Sequence, residues 1–340
     1  MHSRSVPARS GRENCGPLRD SGAQVRFLQR LLMLLIVLLL VSFLSFLLAN
    51  LLPGNLAIDI LGPAATKAGI AELDRQLHLS QPLLVRYFDW LGNALRGNLG
   101  ESYHTGQPVS QALAQRLPVT AELLVLSQVI ALAVAVPLGI LSALRPGGKL
   151  DKAAGAGSFG LLAFPPYVLA VLLVLAFAVR FRVFPATGYV PLTQDPLGNI
   201  RDLLLPAITL ALGSIAIYIR VLRAEMINTL QENFVIMARS KGLPTRQILL
   251  RHALRPSSFA LVTVAGLSVG GLIGGAFLVE QVFALPGIGL LTLQSVYDHD
   301  FLVVQGVVLV VATVYVVVNF LVDILYLVID PRTRHVVASR

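Results

Sequence analysis

The chain has 340 residues, of which 55% are hydrophobic and 13% charged, and its net charge is +9 at pH 7. A soluble globular domain carries roughly 25% charged residues, so the composition excludes a protein whose main solvent is water. The single cysteine, Cys15, excludes an intrachain disulfide framework and a cysteine-based zinc site.

The first 25 residues are polar and rich in Arg, Ser, Gly and Pro. Such a segment cannot bury a core, so we predict a disordered tail over residues 1–25. The apolar run that follows is longer than the core of a signal peptide, and it ends in LANLLPGN rather than in a small-residue cleavage site. We therefore predict a membrane anchor that is retained.

Six stretches are long and apolar enough to cross a membrane, because a spanning helix needs about 20 such residues. They predict an all-α polytopic membrane protein with six transmembrane helices. The predicted spans are Phe27–Asn50, Thr120–Leu144, Ala154–Val179, Leu204–Leu222, Ser257–Val279 and Phe301–Ile329. Residues 26–118 would hold the first span and a helical excursion on the outer side. Residues 119–330 would form the core domain, and residues 331–340 a second tail.

The basic residues indicate an orientation. If the six spans alternate, most of the 27 Lys and Arg residues lie in the N-terminal tail, the RPGGKLDK loop, the stretch from Arg220 to Arg255 and the C-terminal tail, all on one side. Loops rich in Lys and Arg stay in the cytoplasm, so both termini are predicted to be cytoplasmic. The basic excess then reflects topology, and nucleic-acid binding loses its main support.

The outer excursion contains QPLLVRYFDWLGNAL, which predicts a helix at the membrane surface. Its Pro82, Tyr87, Trp90 and Leu95 suit that position, since aromatic rings favour the interface between membrane and water.

The basic stretch from Arg220 to Arg255 cannot lie across a bilayer, because each Lys or Arg at the centre of a spanning helix costs about 2.5–3.5 kcal/mol. We predict a cytoplasmic loop with a helix over Glu232–Ser240, a left-handed cap at Gly242 and a second helix after Pro244. The apolar side chains of these two short helices have no cover in their own chain, which indicates a cytosolic partner.

The sequence of this loop, ARSKGLPTRQILLRHALRP, resembles the coupling loop of ATP-binding cassette (ABC) importer permeases. More narrowly, NLLPGN, LPAITLAL, VEQVFALPGIG and VDILYLVIDPR are similar to motifs of the dipeptide, oligopeptide and nickel permease family. The resemblance covers nearly the whole chain after the N-terminal tail. It implies the fold of a type I importer permease, with a coupling loop at residues 225–255. The residues to which it assigns contact with an ATPase subunit are Ala238, Arg239, Lys241, Gly242, Leu243 and Arg246.

The loop departs from the family pattern at two places. Ile236 and Met237 stand where many members have the Glu-Ala pair, and PSSFA replaces the usual NALIP. The family's proline is therefore missing at Ala260, and another appears at Pro256. The resemblance leaves open how the chain passes from the loop into the fifth span.

The resemblance also implies the partners. The chain would form half of a pathway for dipeptides or oligopeptides in a bacterial inner membrane, working by alternating access with a second homologous permease. Two cytoplasmic ATPase subunits and an extracytoplasmic substrate-binding protein complete the assembly, membrane lipid surrounds it, and nickel or another small solute is the alternative substrate. No G-x-x-x-x-G-K-[ST] phosphate loop occurs in the sequence. The chain is therefore expected to be a transport subunit that is not an enzyme and holds no cofactor, with ATP bound by its partners.

One motif suggests a different class of protein. Gly266-Leu267-Ser268-Val269-Gly270 fits the G-x-S-x-G pattern of serine hydrolases, which need a histidine beside the serine. No histidine lies in a predicted span. The spacing of Gly266, Gly270 and Gly274 instead favours a face where membrane helices pack closely. A stand-alone channel is a third hypothesis, but the docking loop would then lack a purpose.

Ionisable groups near the spans are candidates for the translocation pathway, because burying charge in a membrane is costly. Glu122 lies early in the second span, Glu280 ends the fifth and Asp323 lies late in the sixth. We prefer Glu280, beside the ALPGIG turn. The YDHD segment, Tyr297–Asp300, is expected to lead into the last span rather than to bind metal, since adjacent side chains cannot all face one ion.

Overall fold

The computed structural model describes residues 21–51, 66–67 and 81–329, and in these ranges the chain is all-α. We number the helices α1 Ser21–Leu51, α2 Leu83–Leu95, α3 Val109–Leu144, α4 Lys149–Ala163, α5 Pro166–Arg180, α6 Pro196–Leu230, α7 Asn233–Ser240, α8 Thr245–Phe283, α9 Ile288–Tyr297 and α10 Phe301–Ile329. Part of α5, Val174–Arg180, and part of α8, Ile248–Ala253, are π-helical.

Four helices of the described chain, α3, α6, α8 and α10, are long and apolar enough to span a membrane, and the α4–α5 pair makes a fifth. Helix α1, Ser21–Leu51, contains the first predicted span and packs beside α10. Counted with the five spans above, α1 brings the total to the six that the sequence predicts.

The third predicted span is not straight. Helices α4 and α5 meet at 102°, with Phe164 and Pro165 between them. The pair nevertheless leads from one side of the bundle to the other. Its start is joined to the C-terminal third of α6 by the ion pair between Asp151 and Arg223. After α5, Tyr189 bonds to Glu122 near the start of the second predicted span. The pair is thus a broken crossing, and its proline break is the physical reason for the bend.

Helix α6 is the centre of the bundle, with 67% of its most apolar window buried, against 28% for each of the other three long spans. It begins at Pro196, where the side chain of Asp195 accepts the N–H of Leu197. Its two halves contribute to separate apolar clusters. One cluster packs Leu210 against Leu123 and Ala276, and the other packs Leu222 with neighbours from α3 and α8.

Several helices extend beyond the predicted spans. Helix α3 begins at Val109 rather than Thr120 and spans 36 residues, about 54 Å at 1.5 Å per residue. Pro118 lies inside it, and the added turns are held by apolar packing of Val109 and Leu113 against Ile288. The predicted excursion is therefore shorter than expected, because its last residues belong to α3.

Helix α2, which the sequence predicts to lie at the membrane surface, has one face covered by α1. Tyr87 is buried, bonds to Ser42 at 2.8 Å and packs against Phe46 of α1. Phe88 and Leu95 stay exposed, 64% and 81%, so apolar side chains of α2 remain uncovered by the described chain.

The predicted tails lie largely outside the described residues. Residues 1–20, including Cys15, and residues 330–340 are not described. Residues 21–25 are an exception, because α1 begins at Ser21 and its helix takes in the end of the tail predicted over 1–25.

Candidate functional site

The basic loop forms an elbow, which we define as residues 233–253. Helix α7 ends in two backbone hydrogen bonds, from Gly242 N–H to the Arg239 carbonyl at 2.9 Å and from Leu243 N–H to the Ala238 carbonyl at 3.3 Å. Gly242 has φ +74°, the left-handed conformation that a helix end with these two hydrogen bonds requires. The predicted left-handed cap at Gly242 is confirmed.

The elbow has a small apolar core of its own. Val235, Ala238 and Ile248 are buried together, and Leu243 packs against them. The expectation that these helices find no cover in their own chain is wrong for this inner face. Ala238 contributes to the elbow's core and presents little side chain to a partner.

The outer face of the elbow is both apolar and basic. Phe234, Ile236, Met237 and Leu250 are between 45% and 59% exposed. The cations Arg239, Lys241 and Arg246 are exposed as well. Apolar side chains rimmed by charge mark surfaces that bind proteins. The predicted contact residues therefore fall into two groups: the three cations are exposed, whereas Ala238 is buried in the elbow's core.

The elbow continues into the membrane without a break. Helix α8 starts at Thr245, inside the elbow, and runs through Pro256 to Phe283 as one helix of 39 residues. Pro256 lies inside this helix, shortly after its π-helical part Ile248–Ala253. The departures at Pro256 and Ala260 thus do not interrupt the connection between elbow and span.

Glu280, at the far end of α8, is fully buried in a hydrogen-bonded clamp. Its carboxylate accepts the hydroxyl of Thr120 at 2.6 Å and the N–H of Leu290 at 3.0 Å. The same hydroxyl accepts the N–H of Ile288 at 2.8 Å. The carboxylate thus caps the N-terminus of α9, a position that favours negative charge. A Cβ at Gly287 would overlap it, so the ALPGIG turn is shaped around Glu280.

Glu122 forms a second hydrogen-bonded tie between elements, on the same side of the bundle as Glu280. Its carboxylate accepts the Tyr189 hydroxyl at 2.9 Å and the Asn199 amide at 2.8 Å, and Asn199 also donates to the carbonyl of Val190. Burial, and then the bond to Glu122, raise the pKa of Tyr189 to about 12, so its hydroxyl remains a neutral donor. These contacts hold the loop after α5 against α3 and α6.

Ser268 belongs to a neutral polar cluster between three spans. Its hydroxyl lies 2.5 Å from that of the fully buried Tyr218, which donates to the Gln128 side chain at 2.9 Å. The amide of Gln128 in turn donates to Ser268 and to the carbonyl of Ala265, each at 3.3 Å. No histidine is among the partners of Ser268 in the described chain, so the cluster lacks the base that a serine hydrolase requires.

Two family models match the chain, one over residues 135–335 and one over residues 24–124. The first is the binding-protein-dependent transport system inner membrane component, and the second is the N-terminal part of such membrane components. This chain belongs to that family. It is a permease component of a bacterial membrane transport system rather than an enzyme.

The permease has close relatives along most of its length. It is 40% identical over 296 residues to a putative peptide transport system permease protein of Brucella abortus (strain 2308), covering 86% of this chain and 94% of the relative. It is 33% identical to the oligopeptide transport system permease protein AppB of Bacillus subtilis (strain 168), covering 91% and 98%. A metal-staphylopine import system permease protein, CntB of Staphylococcus aureus (strain Mu50 / ATCC 700699), is 32% identical, covering 90% and 97%.

A solved structure confirms the fold. The permease matches a chain of the MetNI methionine ABC transporter in inward facing conformations, with a TM-score of 0.55 and 18% identity. The match covers 65% of the permease and 97% of that chain. The predicted importer-permease fold is thereby confirmed, and the likeness carries no information on substrate.

The predicted glycine face of the permease is only partly close-packed. A Cβ at Gly266 would overlap the side chain of Val322 in α10, and one at Gly270 would lie 2.9 Å from the ring of Tyr315. A Cβ at Gly274 would meet nothing within 4 Å. The structure thus places two of the three glycines in a helix contact, while Gly274 faces open space.

The structure does not bring the pathway candidates together in one site. Glu122 and Glu280 belong to separate ties, and the side chain of Asp323 lies outside the described part of the chain. The motifs and charges in the sequence did not point to Thr120, Gln128 and Tyr218, whose polar groups join the spans. Polar residues inside apolar runs were the available signal.

Proposed function

We propose that this permease forms half of the translocation pathway of an ATP-driven importer, and that its elbow docks on a cytoplasmic ATPase subunit. The observation that supports the proposal is the continuity of α8. One helix carries docking residues such as Arg246 at its start and the Glu280 clamp at its far end. A displacement of the elbow would therefore reach the opposite side of the bundle through continuous backbone.

The proposed orientation places the elbow and both termini in the cytoplasm. The exposed cations of the elbow support it, because Lys and Arg are retained on that side. A second, homologous permease would complete the pathway, and two ATPase subunits would bind the ATP, so that this chain needs no cofactor. An extracytoplasmic binding protein would deliver the substrate to the side of α9 and Glu280.

The proposed substrates are dipeptides or oligopeptides. The Brucella and Bacillus relatives are named for peptide transport, and each is similar over most of its length. The alternative, import of nickel or of another small solute, is favoured by the relative named for metal-staphylopine import. Uptake of labelled peptides by vesicles containing the assembled transporter tests the assignment. Peptide uptake that is ATP-dependent and unaffected by excess nickel would support it. Uptake of nickel or a metal chelate without peptide uptake would overturn it.

A pull-down from the native membrane tests the docking role. We expect a cassette ATPase and a sister permease to co-purify with the wild-type chain, and the ATPase to be lost from Gly242→Trp. The control is Gly97→Trp, since Gly97 also has positive φ and open space around it but lies after α2. The docking proposal is wrong if the ATPase stays bound to Gly242→Trp, or if it is lost equally from both variants.

A further inference from the structure

A cleft opens between α4 and α6 on the elbow side of the bundle. Asp151, Gly155 and Phe159 line it from α4, and Arg220 and Arg223 line it from α6. Neither the coupling elbow nor the polar ties between α3 and α8 use this cleft. It lies beside the RPGG turn that joins α3 to α4, because Asp151 accepts the N–H of Gly147 at 2.8 Å.

The two arginines of the cleft differ in their partners. Arg223 is held by Asp151 through Nε and through Nη2, the latter at 2.8 Å, so its charge is compensated. Arg220 is exposed and lies over the ring of Phe159, 4.8 Å from its centroid. Within the described ranges no carboxylate pairs with Arg220. The exposed Lys152 stands on the Gly155 and Phe159 face of α4 by helical spacing, so the cleft keeps a net positive charge.

Apolar surface continues from the cleft along both helices. Phe159 is 64% exposed, Leu162 41% and Ile217 38%. In a membrane, such side chains are covered by lipid acyl chains or by another protein. Here the apolar side chains begin next to the exposed guanidinium of Arg220. An anionic phospholipid has the complementary arrangement, an acidic headgroup followed by apolar chains.

We propose that the α4–α6 cleft binds the headgroup of an anionic phospholipid, with the phosphate at Arg220 and an acyl chain along Phe159 and Ile217. A guanidinium suits this role because it can donate two parallel hydrogen bonds to phosphate oxygens while it remains stacked on an aromatic ring. Gly155 leaves room in the cleft for the headgroup, because even a Cβ at this position would meet nothing within 4 Å. The site is independent of the solute that the importer carries.

Brominated lipids test the site in the full-length chain in bilayer nanodiscs. Trp90→Phe removes the single native tryptophan, and Phe159→Trp places a reporter ring under Arg220. We expect brominated phosphatidylglycerol to half-quench this reporter at a mole fraction about fivefold lower than brominated phosphatidylcholine, the preference that one well-placed cation gives. A Phe164→Trp reporter, at an exposed residue outside the cleft, should show no headgroup preference.

Two pairs of variants locate the binding determinants. Arg220→Gln should abolish the preference, whereas Arg201→Gln, at an exposed arginine near the other end of α6, should keep it. Gly155→Leu should fill the cleft and abolish the preference too. Gly157→Leu should keep it, because Gly157 also faces open space but does not line the cleft. Gly155→Leu therefore tests the site even if Arg220→Gln fails to fold.

Three results would overturn the proposal. Equal quenching of the cleft reporter by both lipids would show an ordinary annular surface. No quenching by either lipid would show that protein, such as a second permease, covers the cleft. Loss of the phosphatidylglycerol preference on adding inorganic phosphate, but not on adding the same ionic strength of chloride, would assign the cleft to free phosphate rather than to lipid.

Discussion

The hydroxyl of Thr120 donates to the carboxylate of Glu280 across 2.6 Å and accepts the N–H of Ile288 at 2.8 Å. One side chain thereby links α3, the end of α8 and the start of α9. Because α8 also begins inside the elbow, this clamp fixes the far end of the helix that we propose as the coupling element. We therefore expect substitutions of Glu280 to act mainly by lowering the stability of the permease, rather than by removing a contact with the solute.

Glu280→Ala should lower the thermal unfolding temperature strongly, because it leaves the Leu290 N–H and the Thr120 hydroxyl without their acceptor. Each buried polar group left unpaired costs about 1–3 kcal/mol. Glu280→Gln keeps the shape and an acceptor oxygen, so it should be milder. Unfolding in detergent measures both variants. If Glu280→Gln instead abolishes uptake at normal stability, the carboxylate contacts the solute. That result would support a role of Glu280 in the translocation pathway rather than a purely structural role in the clamp.

Gly242→Ala should weaken the coupling of ATP hydrolysis to transport. A Cβ at Gly242 meets no neighbour, so the cost is backbone strain alone, about 1–2 kcal/mol for a residue other than glycine at φ +74°. Gly242→Asn should be milder, since Asn tolerates this conformation. The measurement is uptake per ATP hydrolysed by the assembled transporter. Equal loss in both variants would contradict an elbow set by backbone conformation.

The sequence predicted the elements of this fold better than the contacts between them. Apolar run length located the spans, and a Gly-Leu-Pro break located the elbow, because both are properties of local sequence. Run length could not predict that α3 starts at Val109, since Pro118 indicates a helix start and only packing against Ile288 extends the helix. It also could not predict the 102° bend of α4 and α5.

Side-chain roles were harder to predict for a physical reason. An ionisable residue in an apolar run indicates a functional site, yet Glu280 and Glu122 each have a partner far away in sequence that satisfies them. The elbow shows the same limit. Its apolar side chains were all predicted to lack cover in their own chain, but the fold buries Val235 and leaves Met237 exposed.

Tyr218→Phe should destabilise the permease more than Ser268→Ala. The tyrosine hydroxyl bonds to both Gln128 and Ser268 inside the bundle, and its loss leaves the Gln128 oxygen without its protein donor. The expected cost is about 1–3 kcal/mol for Tyr218→Phe and about 1 kcal/mol for Ser268→Ala. Unfolding of the two single variants and the double variant gives their coupling energy. Complete loss of function in Ser268→Ala at full stability would revive the hydrolase hypothesis.

Gly266→Ala should destabilise the permease and Gly274→Ala should not, although both glycines lie on α8 at the spacing of a packing motif. The added methyl at position 266 would overlap Val322 and push α10 away, so the unfolding temperature should fall. At Gly274 the methyl meets nothing, and alanine favours a helix over glycine by about 0.8–1 kcal/mol, so stability should stay or rise. Thermal unfolding of the two variants side by side measures the difference. If Gly274→Ala instead impairs assembly with the sister permease while the isolated chain stays stable, the open face at Gly274 is a contact between subunits rather than a free surface.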